Sequence, residues 1–343
     1  MNKRILNFII YVRRNKILYF LLRPLIEIHK LFKKRNRSLF DIKQSLNKYR
    51  NILIFDTRVH SIIFDSVVYL IRGSNFFYKD KWSLIIYEDD NYRYGPHDIT
   101  DDIYRNSLIN IFLQTLLILP NPPISIKFIS NSYELIRLTK KSNKIFPENY
   151  HFLSNEVPYL IKNFNEKDCQ NFKINQPILK ATKYHSKIFE NYLNYRNIKD
   201  YITITIRTKD WGHNENNTEI NDIKIYLDFI KKNNLEKNEV LILPDTQEDV
   251  PKEIINFIEN NNLKYHLFHH GSFSIPMRFL AYSKAKFNFA TTNGPGVIFY
   301  FLDNHSFLIL KDAAQANDSI KFLNEYSEKV FLGRKVIIHK SLQ

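Results

Sequence analysis

The feature that most constrains this chain is a regular alternation of short β-type runs with longer helix-type runs. Residues 51–141 hold three such pairs, at 51–56, 61–72, 82–88, 102–118, 124–130 and 132–141. After a helix-type run near 185–196, a second series holds β-type runs at 201–207, 239–244, 264–268, 286–290 and 306–311, separated by helix-type runs at 222–233, 251–260, 275–284 and 296–303. This alternation predicts parallel sheets with helices on both faces.

The runs are nearly continuous in apolar residues, as strands buried on both faces require. A chain of 343 residues with 44% hydrophobic content can bury two cores. We therefore predict an α/β protein with two Rossmann-like doubly wound domains facing a cleft and a basic N-terminal helical arm. The predicted segments are an arm at 1–50, domains at 51–185 and 186–320, and a C-terminal tail at 321–343 that packs back on the body.

The net charge of +15 is concentrated at the N-terminus, where residues 1–50 hold fourteen Lys and Arg against two acidic residues. The rest of the chain is nearly neutral, and it has no zinc-finger spacing or RNP-like aromatic motif. The sequence therefore predicts no nucleic-acid partner. Asn, Ile and Lys are abundant, which is typical of AT-rich bacterial genomes.

The arm mixes cations with two apolar blocks, Ile5–Val12 and Ile17–Leu22, each too short to span a bilayer. No small-residue cleavage site follows, so a signal peptide is not indicated. The pattern favours an interfacial segment that meets anionic lipid; a helix packed on the body with a solvated basic face is the alternative. With a single cysteine, Cys169, the chain has no internal disulfide and fits a reducing compartment. We expect a cytoplasmic protein, peripheral at the inner face of the membrane.

In doubly wound sheets, ligands bind at the carboxyl ends of the strands. In the second series, the residues just after the strands are Arg207, Lys209, Asp210, Asp245, Thr246, Ser274, Thr292, Asn293, Gly294, Pro295 and Gly296. An arginine at a strand end can make bidentate bonds to a diphosphate, and Asp245 can accept ribose or sugar hydroxyls.

The stretch "ATTNGPG" at 290–296 holds two of the chain's seven glycines. Glycines at a strand-to-helix turn allow close backbone approach to a ligand, and the N–H groups of the following helix favour an anion. Pro295 suits the first helical turn because its missing N–H costs nothing there. The turn predicts a site for a phosphate or a sugar hydroxyl; a tight turn without a ligand is the alternative.

The runs "ITITIRTKD", "LILPDT", "FNFATTNGPG" and "FLILK", at about 200–311, resemble the carboxyl-terminal half of GT-B glycosyltransferases, and the fucosyltransferase-like group in particular. That group carries an R-x-x-D strand end, matched by Arg207 to Asp210, although Thr208 stands where a second arginine or a glycine is often seen. The resemblance implies that Arg207 binds the donor diphosphate and that Asn293 to Gly296 help to hold the nucleotide sugar.

The first domain is then expected to bind the acceptor. An inverting transfer needs a base for the acceptor hydroxyl, and Asp56 and His60 follow the first strand; capping or salt bridging is the alternative role. Glu88, Asp89 and Asp90 follow the second strand and can be metal ligands or a solvated strand exit. We prefer a metal-free transfer without a cofactor, in which Arg207 and the helix start at Pro295 offset the diphosphate charge.

The sequence thus predicts a hexosyl- or fucosyltransferase-like enzyme. It would move a sugar from a nucleotide sugar to a cell-surface polysaccharide or a lipid-linked glycan. Two alternatives stay open because fold does not fix chemistry. One is a non-glycosyl transferase or epimerase of polysaccharide biosynthesis on a similar scaffold, and the other is a catalytically silent membrane-peripheral binding protein.

Overall fold

A computed structural model describes residues 50–58, 66–88, 102–152, 178–208, 217–245, 249–291, 294–302, 307–310 and 336–338. The predicted arm at 1–50 lies outside these residues except for Arg50. Within the described ranges, no helix combines the length and the apolar character that crossing a membrane requires.

The first sheet consists of four parallel strands, β1 (Asn51–Asp56), β2 (Ser83–Tyr87), β3 (Ser125–Ile129) and β4 (Lys144–Phe146). Its helices are α1 (Ser66–Phe77), α2 (Asp102–Thr115) and α3 (Ser132–Lys141), and a 3₁₀ turn at Leu116–Ile118 follows α2. The sequence predicted these elements within a few residues, except β4. Three residues are too few to display a strand period, so β4 is recognisable only through its pairing with β1.

The second sheet consists of six parallel strands, β5 (Tyr201–Ile206), β6 (Glu239–Pro244), β7 (Tyr265–Leu267), β8 (Asn288–Thr291), β9 (Phe307–Leu310) and β10 (Val336–Ile338). Its helices are α4 (Lys183–Tyr195), α5 (Ile220–Lys232), α6 (Lys252–Asn260), the one-turn α7 (His270–Phe273) and α8 (Ile275–Lys284). β10 lies within the predicted C-terminal tail and adds a strand beside β9.

The strand orders identify where each sheet can bind a ligand. The second sheet runs β7-β6-β5-β8-β9-β10, which is the order 3-2-1-4-5-6 of dinucleotide-binding sheets, and the first runs β3-β2-β1-β4, its first four positions. The strand order reverses between β5 and β8 and between β1 and β4. Such switch points open a crevice at the carboxyl ends of the strands. The prediction of two doubly wound parallel α/β domains is confirmed.

Local sequence explains how several helices begin. Asn131 caps α3 by accepting hydrogen bonds from the N–H groups of Tyr133 and Glu134. α5 begins with a capping box in which the backbone N–H of Glu219 donates to Asp222. Short polar side chains at these positions satisfy N–H groups that have no partner within the helix.

The two sheets share one hydrophobic core. Leu53 and Phe55, on one face of the first sheet, belong to the same buried cluster as Leu241 and Leu243 on one face of the second. The opposite faces are covered separately, by a cluster containing α3 residues on the first sheet and by a cluster containing α5 and α6 residues on the second. Helix α1 lies in the shared core, and eleven of its twelve residues are buried.

One helix prediction needs correction. The run predicted as a helix at 296–303 forms a 3₁₀ helix at Gly294–Phe301. Its sequence, GPGVIFYF, contains no strong α-helix former, because glycine, proline, β-branched and aromatic residues all have lower propensity than alanine or leucine. The turn after β8 therefore continues as a tighter helix whose apolar side chains enter the shared core.

Candidate active site

The switch point of the second sheet is bounded by Arg207 after β5 and Thr291 at the end of β8. Thr218 joins the two. Its hydroxyl accepts a hydrogen bond from the Arg207 N–H at 3.0 Å and lies 3.3 Å from the Thr291 hydroxyl, and its N–H donates to the Arg207 carbonyl at 2.8 Å. Thr218 and Thr291 are buried and Arg207 is half-buried. Thr218 therefore fixes the backbone of Arg207 at the end of β5 and connects it to the end of β8.

The predicted glycine turn lies at the same edge. Gly294 is half-buried, Pro295 and Gly296 are buried, and Val297 and Ile298 anchor the turn in the shared core. The first N–H groups of a helix have no partner within the helix. Since β8 is the direct neighbour of β5, Arg207 and the glycine-rich helix start lie at the same edge of the sheet, where the strand order reverses.

The end of β6 is held from several sides. The N–H of Asp245 donates to the carbonyl of Ile206 at 2.8 Å, which joins the ends of β5 and β6. The carbonyl of Pro244 accepts from the hydroxyl of Ser272 at 3.0 Å and from Nη2 of Arg278 at 2.6 Å. Asp245 itself is 1% exposed, so its carboxylate is buried at this end of the sheet.

Arg278 on α8 is a cation buried at 0% exposure. In addition to its hydrogen bond to the Pro244 carbonyl, its guanidinium donates to the Gly271 carbonyl at 2.6 Å and to the Tyr282 hydroxyl at 2.8 Å. Burial raises the pKa of Tyr282, which keeps that hydroxyl neutral. In the described part of the chain no carboxylate lies within 4.0 Å of Arg278. Neutral oxygens thus solvate the guanidinium, and the charge of the buried Asp245 carboxylate at the same strand end acts on the Tyr282 hydroxyl that Arg278 contacts.

The first switch point is filled by the chain's own side chains. The Asp56 carboxylate accepts hydrogen bonds from Nε and Nη2 of Arg58 at 3.0 and 2.7 Å, from the Arg58 N–H at 3.1 Å and from the Tyr150 hydroxyl at 2.8 Å. The Arg58 guanidinium stacks on Phe152 at 3.9 Å and lies 4.9 Å from the centre of the Tyr87 ring. The network therefore joins β1 to the segment after β4.

This network affects how its members titrate. Hydrogen bonding to Asp56 raises the pKa of Arg58, and burial together with the charge of Asp56 raises the pKa of Tyr150. Both groups keep their protons across the physiological range. With four hydrogen bonds already on its carboxylate, Asp56 has the geometry of the salt-bridging alternative, and its role as a base stays a prediction.

Several predicted residues lie outside the described ranges, namely His60, Asp89, Asp90, Lys209, Asp210, Thr246, Thr292 and Asn293. Ser274 is described, and its hydroxyl caps α8 by accepting from the N–H of Met277 at 3.4 Å. Its role in donor binding stays a prediction. Among the described side chains, no group of three or more His, Cys, Asp or Glu is arranged to hold a metal ion.

The sequence interpretation missed Thr218, Arg278 and Tyr150. Thr218 follows an Asn-rich loop that has no periodicity, so nothing in the pattern marks it. Arg278 could have been identified from the sequence, because it is the only charged residue in the otherwise apolar run "IPMRFLAY". A lone cation in a buried helix needs buried acceptors, and these are the carbonyl of Pro244 at the end of β6, the carbonyl of Gly271 in α7 and the hydroxyl of Tyr282.

No protein-family model matches the sequence, and no curated protein matches it. Three solved structures are similar to the chain at 8% identity each. A glycosyl transferase of family 9 from Veillonella parvula has a TM-score of 0.46, with 86% of this chain and 88% of that chain covered. POFUT1 in complex with GDP has a TM-score of 0.37, with coverage of 75% and 95%. The fucosyltransferase NodZ from Bradyrhizobium has a TM-score of 0.34, with coverage of 75% and 94%.

Proposed function

We propose that this protein is a glycosyltransferase that moves a sugar from a nucleotide-sugar donor to a glycan or lipid-linked acceptor. The observation that carries the proposal is the second switch point. There Arg207 and a glycine-rich helix start lie at the carboxyl ends of the adjacent parallel strands β5 and β8, and the buried Arg278 braces the end of β6 beside them. A crevice of this kind suits a ligand that combines a diphosphate with hydroxyl groups.

Each predicted residue then has a role in donor binding. Arg207 and Lys209 bind the diphosphate, and the turn from Asn293 to Gly296, through the backbone N–H groups of its residues other than Pro295, completes its contacts together with the hydroxyl of Thr292. Thr246 orients the ribose, the buried Asp245 supports the strand end behind it, and Asp210 and Ser274 line the same edge. The positive charge stabilises the diphosphate as it leaves with the bonding electrons. We propose that the transfer needs no metal or cofactor.

We propose that the acceptor binds beside the first sheet and that His60 takes the proton of its attacking hydroxyl. Asp56 is the second candidate for this base, but the four hydrogen bonds on its carboxylate favour an anchoring role. The basic residues 1–50 would hold the enzyme against an anionic membrane that carries the acceptor. Binding of the full chain to vesicles of anionic lipid, compared with neutral vesicles, tests this part separately.

The donor is tested by a thermal-shift screen of the full chain against nucleotide sugars and nucleoside diphosphates, with and without EDTA. We expect one nucleotide family to raise the melting temperature, because a ligand that binds only the folded state stabilises it. The shift should survive EDTA. If no nucleotide produces a shift, the proposal fails and a non-glycosyl function takes its place.

The central residue is tested by Arg207→Ala. Removing a charge-assisted bond to the diphosphate should weaken binding of the nucleotide identified in the screen by roughly 2 to 4 kcal/mol. Titration calorimetry at a temperature well below unfolding measures this loss. Lys286→Ala is the matched control, since Lys286 is an exposed cation whose backbone N–H donates to Tyr201 at the opposite end of β5. Equal affinity of Arg207→Ala and the parent protein would remove Arg207 from the site.

A further inference from the structure

A large aromatic side chain is exposed on the turn that follows β7. Phe273 is 65% exposed, although it lies where the second sheet meets α2 of the first. Two imidazoles of the same turn, His269 and His270, are also exposed. An exposed apolar ring beside a proposed ligand crevice is a candidate contact for the ligand.

The backbone that carries this ring is fixed on both sides. The side-chain amide of Gln114 donates to the Phe273 carbonyl at 3.0 Å and accepts from the Ile275 N–H at 3.0 Å. Two residues before the ring, the Gly271 carbonyl accepts from Arg278, and the Ser272 hydroxyl donates to Pro244. The ring thus projects from a preorganised frame.

Close packing beneath the turn reinforces this frame. A Cβ atom at Gly271 would lie 2.8 Å from Cδ2 of Leu243 and 3.0 Å from Cδ1 of Phe268. The turn therefore sits directly on the end of β6 and on the residue that follows β7. The backbone beneath the ring therefore needs no ordering when a ligand stacks on the ring.

We infer that Phe273 is a stacking platform for the nucleobase of the donor, an inference that rests on the proposed nucleotide-sugar function. The strand order gives the distance between the proposed diphosphate position and Phe273. β7 lies two strands from β5, or about 10 Å at roughly 4.8 Å per strand. With the diphosphate at β8 and β5 and the ribose beside β6, the base lies over the end of β7. Every nucleobase has a flat face that can stack on an aromatic ring.

The experiment compares Phe273→Ala and Phe273→Tyr with the parent full-length protein by titration calorimetry. The probes are the nucleoside diphosphate with the largest thermal shift and inorganic pyrophosphate, which has no base. We expect Phe273→Ala to weaken nucleoside diphosphate binding roughly 5- to 150-fold and to leave pyrophosphate binding unchanged. Phe273→Tyr should retain the affinity. Because the ring is exposed, the melting temperature should stay within about one degree of the parent value.

Tyr133→Ala is the matched control, because Tyr133 is 73% exposed and follows β3 of the first sheet. It should bind both probes as the parent does. Unchanged nucleoside diphosphate affinity in Phe273→Ala would overturn the platform and leave the proposed function standing. An equal loss for both probes would overturn it as well, because the turn rather than the ring would then be responsible. Absence of nucleotide binding in the parent protein would instead reject the proposed function, and the platform with it.

Discussion

The two switch points of this molecule use an arginine in opposite ways. At the first, the guanidinium of Arg58 pairs directly with Asp56, and the rings of Tyr87 and Phe152 lie against it. At the second, the guanidinium of Arg278 is bound, among the described residues, by two carbonyls and a hydroxyl. Similar strand topology therefore places a directly paired arginine at one switch point and an arginine held by neutral oxygens at the other.

The two arrangements differ in the charge that they can offer to a ligand. The guanidinium of Arg58 is already paired with a carboxylate, so the first switch point offers little net charge. The charge of Arg278, held by neutral oxygens, is opposed through space by the buried Asp245 carboxylate. Substitutions of the two arginines therefore test whether the two switch points differ in their affinity for an anion.

The largest effect is expected from Arg278→Met. The substitution keeps much of the volume but leaves the Pro244 carbonyl with one donor fewer and the Gly271 carbonyl without its Arg278 donor. Each buried polar group deprived of its partner costs about 1 to 3 kcal/mol, so the free energy of unfolding should fall by about 3 to 5 kcal/mol. Urea unfolding followed by circular dichroism measures the loss, and a decrease below about 1 kcal/mol would contradict the role of Arg278.

Arg58→Met is the matched control for that substitution. It removes a guanidinium from the first switch point and should also destabilise the fold, since the buried Asp56 carboxylate keeps only the Tyr150 hydroxyl and a backbone N–H. Nucleotide affinity at a temperature well below unfolding should fall in Arg278→Met and stay unchanged in Arg58→Met. Equal losses in both variants would remove the electrostatic distinction between the crevices.

An intermediate effect is expected from Asp56→Asn. The neutral amide weakens both bonds from the Arg58 side chain, and hydrogen bonds to charged groups contribute about 1.5 to 3 kcal/mol. The free energy of unfolding should therefore fall by about 2 to 3 kcal/mol. Sugar transfer by the folded protein should persist if Asp56 is an anchor. A loss of 100-fold or more, as removal of a general base causes, would make Asp56 the base instead.

The smallest effect is expected at the opposite end of the second sheet. Burial alone would raise the pKa of Glu239, but hydrogen bonds from His266 at 2.5 Å and Lys264 at 2.9 Å outweigh it and lower the pKa below 4.5. A depressed pKa in the folded state contributes stability above pH 4.5, and this stability is lost as the pH falls through the folded value.

Glu239→Gln should therefore destabilise the protein by at most about 1 kcal/mol at pH 5. The difference should vanish toward pH 3, and nucleotide affinity should not change. Thermal unfolding of both proteins across this range measures the effect. A difference that grows toward acid would contradict the direction of the Glu239 shift.

The sequence was sufficient for most strands because β-type runs such as "ITITI" and "VLILP" stand out between helix-type runs; β4 and β10, with three residues each, were too short to be predicted. Pairings between distant residues were not readable. Tyr150 reaches Asp56 across 94 residues, and Thr291 meets Thr218 across 73. The partners of Arg278 are backbone carbonyls, which every residue has, so no side-chain pattern could point to Pro244 or Gly271.

The core that joins Leu53 and Phe55 to Leu241 and Leu243 has a thermodynamic consequence for the whole molecule. If either sheet unfolds, the apolar face of the other is exposed to water, at a cost of about 25 cal/mol for each Å². The two sheets therefore melt as one cooperative unit. A ligand bound at the second sheet would also stabilise the first, so substitutions in the first sheet that unfold the empty protein would be tolerated when the ligand is bound.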